Sequence, residues 1–310
     1  MSRSTATRDR WALEFEARAH AHWTTVRTEE LLHGKAVLIR PADAALLLRA
    51  LGLLNGDASM PPAQVRKYLQ INHMVGMLGP AFAELRARHP RIRLLDAGCG
   101  RSYLTLLLAW CGARVWRHPI EVLGVDRNPD VIEECRRRTA IAGLDELVRF
   151  EAAALDGSAA AAAWAPHGVI ALHACDTATC DALALGVGLE AELLAVAPCC
   201  QAELARGWAD LAGRETAGEL APIWNTPHLR RETAAHVTDA MRMLLLRAAG
   251  YQVAAIEFVP SEHTRKNTLI RAERAPAPDA DAARQYAALV RATGGVGLAL
   301  EHRLVPHRRA

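Results

Sequence analysis

Residues 91–108 of the chain have the sequence RIRLLDAGCGRSYLTLLL. An apolar run at residues 92–95 ends at Asp96, the turn Gly98-Cys99-Gly100 follows, and a second apolar run occupies residues 103–108. This order predicts a buried strand, a glycine-rich turn and a helix. Glycines adopt positive φ and place no Cβ against a ligand, and the free N–H groups at a helix start face the space above the turn. The stretch therefore predicts a cofactor cradle.

The spacing of the glycines narrows the class of cofactor. A dinucleotide-binding turn has a third glycine three residues after Gly100, and Tyr103 stands there, too bulky for a pyrophosphate to lie against the helix start. No GK[ST] ending follows, which excludes a nucleoside-triphosphate loop. An acidic residue at a strand tip followed by small-Gly-x-Gly resembles motif I of class I S-adenosylmethionine (SAM) methyltransferases. In that family Asp96 would be the acidic partner of the SAM ammonium group.

A second acidic strand tip strengthens this interpretation. Residues 121–125 predict a strand, which Asp126-Arg127-Asn128-Pro129 and a helical stretch at 130–142 follow. In this architecture a carboxylate at the tip of the second strand accepts the ribose hydroxyls of the cofactor. Asp126 lies 30 residues after Asp96, more than the usual separation of about 20, and we expect an extended loop at residues 110–119 to account for the excess. The alternative is that Asp126 caps the next helix.

Five further strands are predicted, at residues 147–153, 168–172, 193–197, 253–259 and 268–272. Helical segments separate most of them, and this alternation implies a parallel sheet covered on both faces. Residues 260–267 are too few for a helical crossover, so the last two strands should pair antiparallel. The predicted fold is α/β and Rossmann-like: a mostly parallel seven-stranded sheet with one antiparallel strand and helices on both faces, which is the class I methyltransferase plan.

The tips of strands four and five carry a closer resemblance. The motif HACDTAT at residues 173–179 follows strand four, and Pro198-Cys199-Cys200 follows strand five. This pair of motifs resembles the methyltransferase-domain family 32 group and, more distantly, the eukaryotic tRNA methyltransferases that modify ribose near the acceptor stem. KYLQINH at residues 67–73 and EHTRKNTLIRA at 262–272 are similar to bacterial members of the first group, so the resemblance spans roughly residues 62–274.

Two positions depart from the family pattern. Asp176 stands where the family often has glycine, which adds a carboxylate to the site. After strand three, Ala153 or Ala154 replaces the usual acidic residue for the adenine amino group. Either Asp156 substitutes for that residue or backbone groups recognise the adenine.

The resemblance implies SAM as the cofactor, and three sets of site residues are predicted. The cofactor-binding set is Asp96, Gly98, Cys99, Gly100, Ser102, Tyr103, Asp126, Arg127, Asn128, Asp156 and His173. The candidates for a base that deprotonates a hydroxyl or amine acceptor are His173 and Asp176, and the alternative for His173 is a strand-end residue that bonds backbone or packs on SAM. The substrate set is Lys67, Asn72, Thr177, Cys199, Cys200, His263 and Lys266.

The strand-tip cysteines raise a rival interpretation, because Cys175, Cys199, Cys200 and His173 could together form a tetrahedral zinc site. Adjacent cysteines at a strand end point to opposite sides, so Cys199 and Cys200 would rarely bind one ion. The sequence also has no CxxC pair. We therefore expect no metal, and small packing residues beside the cofactor instead.

Composition predicts a cytoplasmic enzyme. The 310 residues carry a formal net charge of +3, which is too small to indicate nucleic-acid binding by itself. The polar start MSRSTATRDRW predicts no signal peptide, and no apolar run approaches the roughly 20 residues of a membrane span. Seven cysteines, an odd number, argue against a disulfide framework.

Three segments are predicted along the chain. Residues 1–60 form an N-terminal accessory region with a helix at 8–22 and a short strand at 36–39. Residues 61–274 form the methyltransferase domain, with an insertion at 213–235 near the active face, and residues 275–310 form a linker and a helix.

The predicted function is SAM-dependent methyl transfer. RNA is one candidate acceptor, because of the distant resemblance and the basic segments at residues 227–231 and 262–266. A small molecule or a protein is the alternative acceptor. A SAM-binding scaffold without catalysis is the alternative from another functional class, and the oligomeric state is left open.

Overall fold

The computed structural model describes residues 3–155, 159–172, 176–198, 201–213, 220–257 and 268–304. Its strands are β1 (Ile92–Ala97), β2 (Ile120–Asp126), β3 (Val148–Ala152), β4 (Gly168–Leu172), β5 (Leu193–Ala197), β6 (Tyr251–Glu257) and β7 (Thr268–Arg274). They form one seven-stranded sheet in the order β3-β2-β1-β4-β5-β7-β6. The pairs β2–β3, β1–β4 and β4–β5 are parallel, and β7 is antiparallel to both β5 and β6. The predicted fold class is confirmed.

The described residues also form thirteen helices. They are α1 (Arg3–His22), α2 (Thr25–Leu32), α3 (Ala45–Ala50), α4 (Pro62–Arg88), α5 (Tyr103–Arg114), α6 (Pro129–Ala142), α7 (Ala159–Trp164), α8 (Thr177–Gly188), α9 (Glu203–Ala209), α10 (Ala221–Asn225), α11 (Pro227–Ala248), α12 (Ala280–Ala292) and α13 (Ala299–Leu304).

The described residues fall into two compact units. The first comprises the residues up to Arg93 together with Cys99–Ala153, and it contains α1–α6, β2 and β3. The second comprises Leu94–Gly98 and the residues from Ala154 onward, and it contains most of β1, strands β4–β7 and helices α7–α13.

In the first unit, the short strand predicted at residues 36–39 does not form. The backbone N–H of Ile39 donates to Asn72 Oδ1 at 2.8 Å, and its carbonyl accepts from the Tyr68 hydroxyl at 2.6 Å. Both side chains belong to the buried face of α4. Because side chains already satisfy these backbone groups, the segment needs no neighbouring strand.

The extended loop predicted at residues 110–119 is also wrong. Helix α5 continues to Arg114, and the N–H groups of Val115 and Trp116 both donate to the Cys111 carbonyl at its end. Only residues 115–119 connect this helix to β2. The apolar face of α5 extends through Trp110 and Cys111, both buried, so burial continues the helix into the segment that was predicted to be a loop.

In the second unit, the predicted insertion at residues 213–235 is helical where the structure describes it. Helix α10 lies within it, and α11 begins inside it at Pro227, because proline at a helix start costs no hydrogen bond. Trp224 of α10 packs on Trp208 of α9, with 4.3 Å between ring centres. Through Trp224, helix α10 therefore contributes to the packed core of this unit.

Candidate active site

The turn after β1 has the backbone that a ligand cradle requires. Gly98 and Gly100 have φ values of 74° and 50°, which favour glycine. A Cβ on Gly100 would meet no heavy atom within 4 Å. The space beside this glycine is therefore open to a ligand.

Asp126, at the end of β2, is fixed against this turn. Its Oδ2 accepts the Gly100 N–H at 3.1 Å, and its Oδ1 accepts the Asn128 N–H at 2.9 Å. A carboxylate offers about four lone-pair sites, so each oxygen can still accept a hydroxyl proton. The alternative that Asp126 caps α6 is wrong, because the N-cap is Asn128, whose Oδ1 accepts the Asp130 N–H at 3.0 Å.

The remaining predicted cofactor residues of the first unit lie around the turn in different ways. Cys99 is buried, and its N–H donates to the Val125 carbonyl at 3.0 Å, which ties the turn to β2. Ser102 is fully buried, and its hydroxyl has no hydrogen-bond partner among the described residues. Arg127 is exposed. The sequence motif alone supports a role for Arg127 in cofactor binding.

Tyr103 begins α5 and is flanked by two cations. The Lys67 ammonium lies 3.7 Å from its ring centre, and the Arg138 guanidinium lies 5.3 Å from it. Burial opposes ionisation of the phenol, but Lys67 and Arg138 outweigh that effect and hold the pKa of Tyr103 below its usual range. Lys67, predicted to face the substrate, thus lies beside the first residue of the helix that follows the turn.

Asn72, also predicted to face the substrate, has a structural role instead. The side chain is buried. Its amide accepts from the Ile39 N–H, and its Nδ2 donates to the Tyr68 carbonyl at 3.2 Å. Because backbone groups engage both the Oδ1 and the Nδ2 of this side chain, we remove Asn72 from the substrate set.

In the second unit, Asp96 is buried and lies at the edge of the sheet that the carboxyl ends of the parallel strands form. It pairs in register with Ile170 of β4, and only 2% of its surface is exposed. Ligands of parallel α/β sheets bind outside this edge. The contact of Asp96 to the SAM ammonium group stays a prediction.

Asp176, predicted as a catalytic base, is fully engaged with α9. Its Oδ1 accepts the N–H groups of Ala202 and Glu203 at 2.9 and 2.8 Å, and its Oδ2 pairs with Arg206 at 2.5 Å. Burial alone would raise the pKa of this carboxyl, but Arg206 and the two N–H groups outweigh it and hold the pKa below the usual range. A carboxylate held in this way is a poor proton acceptor at neutral pH, so we withdraw Asp176 as the base.

The backbone at Asp176 explains the departure from the family pattern. Its φ is 55° and its ψ is −114°, a conformation that favours glycine. The family's glycine would adopt it without strain, whereas the aspartate adopts it and gains the contacts to α9.

Several predicted residues lie outside the described part of the chain: Asp156, His173, Cys199, Cys200, His263 and Lys266. Thr177, the first residue of α8, is half-buried, and its carbonyl accepts from Arg303 at 3.4 Å. Within the described ranges, no group of three or more histidine, cysteine, aspartate or glutamate side chains could hold a metal ion. No described helix is both long enough and apolar enough to cross a bilayer.

A cavity of about 500 Å³ lies in the second unit between α9 and α11. The wall on the α9 side consists of Gln201, Ala202, Ala205, Arg206 and Ala209. The wall on the α11 side consists of Arg230, Arg231, Glu232, Ala235, His236 and Asp239. Pro198, which follows β5, and Thr268, which begins β7, complete the lining. The cavity therefore opens beside the carboxyl end of β5.

Sequence reasoning singled out the basic segment 227–231 but missed the facing wall. Arg206 and Gln201 carry no motif of their own. The signal that was present is the spacing on α11, where Arg231, Ala235 and Asp239 recur every four residues and therefore share one helix face.

Residues 66–207 match the model of a methyltransferase-domain family, the family 32 group that the tip motifs resemble. No curated protein is significantly similar in sequence.

Three solved structures illustrate the structural similarity. An rRNA methylase from Streptococcus thermophilus is 11% identical, with 60% of this chain and 88% of that chain covered and a TM-score of 0.37. A SAM-dependent methyltransferase from Aquifex aeolicus is 12% identical, with 62% of this chain and 87% of that chain covered and a TM-score of 0.34. The CMeT domain of the citrinin polyketide synthase is 16% identical, with 81% of this chain and 69% of that chain covered and a TM-score of 0.40. At these scores the likenesses contribute nothing to the choice of substrate.

The family match covers the strand–turn–helix unit, Asp126 and the tips of β4 and β5. The sheet has the mixed order expected for class I methyltransferases, with β7 antiparallel between β5 and β6. Residues 66–207 therefore carry a methyltransferase domain of the family 32 group, and SAM-dependent methyl transfer is the activity that this domain indicates.

Proposed function

We propose that SAM is bound at the turn 98–102, with Asp126 accepting the ribose hydroxyls and Asp96 facing the ammonium group. The observation that carries the proposal is the geometry of Asp126. Two backbone N–H groups orient its carboxylate beside Gly100, where a Cβ would find open space. An oriented acceptor pair next to an unfilled glycine turn matches the needs of a ribose lying over the turn.

The bound cofactor supplies the methyl group, and the chain aligns the acceptor and removes its proton. Asp176 cannot readily take that proton, because Arg206 and two N–H groups stabilise its charged form. His173 remains the proposed base for a hydroxyl or amine acceptor. In the sequence it belongs to the motif that directly follows β4, and ligands of parallel sheets bind beyond the carboxyl ends of the strands.

RNA is the acceptor class that we propose. The support is the resemblance at the strand tips together with the basic segment 227–231, whose Arg230 and Arg231 line the cavity beside the end of β5. Small molecules and proteins are the competing acceptors. Incubation with labelled SAM and separated RNA, protein and metabolite fractions distinguishes the three, and SAM binding without transfer to any fraction would favour a non-catalytic scaffold.

Calorimetric titration with SAM tests the cofactor site. Asp126→Asn keeps the shape of the side chain but replaces one acceptor by an amide. Loss of a hydrogen bond to a charged group costs about 1.5–3 kcal/mol, so SAM affinity should fall about 10- to 100-fold. Glu133→Gln is the matched control, because Glu133 is an exposed carboxylate of α6. Equal SAM affinities for the two variants would refute the assignment of Asp126.

A further inference from the structure

We infer that the cavity between α9 and α11 binds a phosphate ester group of the methyl acceptor, with Arg231 as its main cation. This inference rests on the proposed function and adds the chemical class of the substrate. The phosphate can belong to an RNA chain or to a single nucleotide.

The shape of the cavity follows from small side chains on both helices. Ala205 and Ala209 on α9 face Ala235 on α11 across it. Alanines at these positions leave space that larger side chains would fill, and the resulting volume of about 500 Å³ lies within the range of small-molecule sites. The cavity can thus hold a phosphate together with the sugar that carries it.

The charged lining residues favour an anion, because three arginines (Arg206, Arg230 and Arg231) stand against two carboxylates, Glu232 and Asp239. Arg206 is already paired with Asp176, and Asp239 is paired with Arg242 and accepts from Gln201. Arg230 uses one nitrogen to donate to the Trp224 carbonyl at 2.5 Å. Arg231 is exposed and makes no hydrogen bond or ion pair with any described residue. Its guanidinium is therefore available to a ligand, and Arg230 lines the same cavity.

The types of side chain favour a phosphate over a stacked base. The cations of this cavity are arginines, whose planar groups bind phosphate oxygens in pairs. No phenylalanine, tyrosine or tryptophan occurs among the described lining residues, so this part of the cavity offers no platform for base stacking. Gln201 Oε1, in the same wall, is buried without a donor among the described residues. A hydroxyl beside the phosphate could supply that donor.

The position of the cavity suits an acceptor. Pro198 follows β5, and β5 is separated from β1 by β4 alone, with both pairs parallel. Neighbouring strands lie about 4.8 Å apart, so the tips of β1 and β5 are roughly 10 Å apart at the same edge of the sheet. A phosphate in the cavity would hold the adjoining sugar or base near the strand tips that carry Asp96.

Binding measurements with the full chain and SAM present test this inference. The probes are a labelled single-stranded RNA oligonucleotide of mixed sequence, adenosine 5′-monophosphate and adenosine, which lacks the phosphate. Arg231→Ala should weaken binding of a phosphate-bearing probe about tenfold or more, since a charge-assisted contact is worth at least about 1.4 kcal/mol. Arg291→Ala is the control, because Arg291 is an exposed arginine of α12 in the same unit. It should bind like the parent protein.

Each outcome decides a separate point. Binding of the oligonucleotide alone supports RNA, and equal binding of the mononucleotide supports a small phosphate ester. The inference is overturned if adenosine binds as tightly as adenosine 5′-monophosphate. It is also overturned if Arg231→Ala and Arg291→Ala bind the phosphate-bearing probe with equal affinity. Calorimetry with SAM is run on every variant. If the parent protein binds SAM but the phosphate makes no difference to probe binding, only this inference is refuted. If the parent protein does not bind SAM, the proposed cofactor site is refuted.

Discussion

The side-chain nitrogen of Lys67 lies 3.7 Å from the centre of the Tyr103 ring, directly beside the start of α5. A cation over an aromatic face is attracted to the ring and also stabilises a phenolate. Tyr103 is therefore the tyrosine whose ionisation reports on the surroundings of the cofactor turn.

We predict that Lys67→Met raises the pKa of Tyr103, because the substitution removes the cation that offsets burial. The chain has four tyrosines. Burial raises the pKa of Tyr251 to about 12 and raises those of Tyr68 and Tyr286 further, so Tyr103 ionises first. Phenolate absorbance against pH should show its step at higher pH in Lys67→Met and little change in Lys67→Arg. An unshifted first step would show that Lys67 does not lie over the ring.

Asp176→Asn should lower stability without abolishing turnover. Asparagine tolerates the positive φ at this position and can still accept the N–H groups of Ala202 and Glu203, but it loses the charge that pairs with Arg206. The expected loss is about 1 kcal/mol at neutral pH in urea unfolding. Turnover that disappears while stability is unchanged would restore Asp176 as the base.

The effect of Asp176 should also depend on pH in a definite direction. Its folded-state pKa is lowered, so its contribution is fully present above the ordinary aspartate pKa of about 3.9 and is lost as pH falls through the folded-state value. The difference in unfolding free energy between parent and Asp176→Asn should therefore shrink in that acidic range. A difference that stays constant would mean that the charge of Asp176 contributes nothing.

Asn72→Ala tests whether this residue serves stability or substrate binding. The substitution leaves the buried N–H of Ile39 without its acceptor, which costs about 1–3 kcal/mol. Acceptor affinity should be unchanged once unfolding is avoided. His73→Ala, at the exposed neighbouring position of α4, is the control and should change neither stability nor acceptor affinity. If Asn72→Ala binds the acceptor more weakly at full stability, Asn72 returns to the substrate set.

Replacing either of two helical glycines by alanine should change the free energy of unfolding, with opposite signs at the two positions. In α5, a Cβ on Gly112 would lie 2.8 Å from Ile120 Cγ1 and 2.9 Å from the His118 carbonyl oxygen, so Gly112→Ala should cost about 1–3 kcal/mol. In α4, a Cβ on Gly76 would meet nothing within 4 Å, so Gly76→Ala should gain about 0.5–1 kcal/mol from the lower entropy of the unfolded chain. Urea unfolding measures both, and a stabilised Gly112→Ala would show that α5 does not approach residues 118–120.

Local patterns were enough to predict the sheet and the cofactor turn. The bounds of β4 and β5 agree with the predicted 168–172 and 193–197, because a fully buried strand is a continuous apolar run bounded by polar residues. The turn at residues 98–100 was predictable for a similar reason, since only glycine combines positive φ with space for a ligand. The C-terminal boundary of α5 was not predictable, because the long separation of Asp96 and Asp126 suggested a loop, and only the burial of Trp110 and Cys111 shows that the helix continues.

The sequence by itself determined the fold class, the glycine turn after β1 and the acidic tip of β2, because each depends on residues that are neighbours along the chain. Only the tertiary structure decided the state of Asp176, the role of Asn72 and the existence of the cavity. Asp176 meets Arg206, Asn72 meets Ile39, and Arg231 and Ala205 line one cavity only after folding brings distant segments together. A side chain's charge state and availability depend on such partners, and no local pattern encodes them.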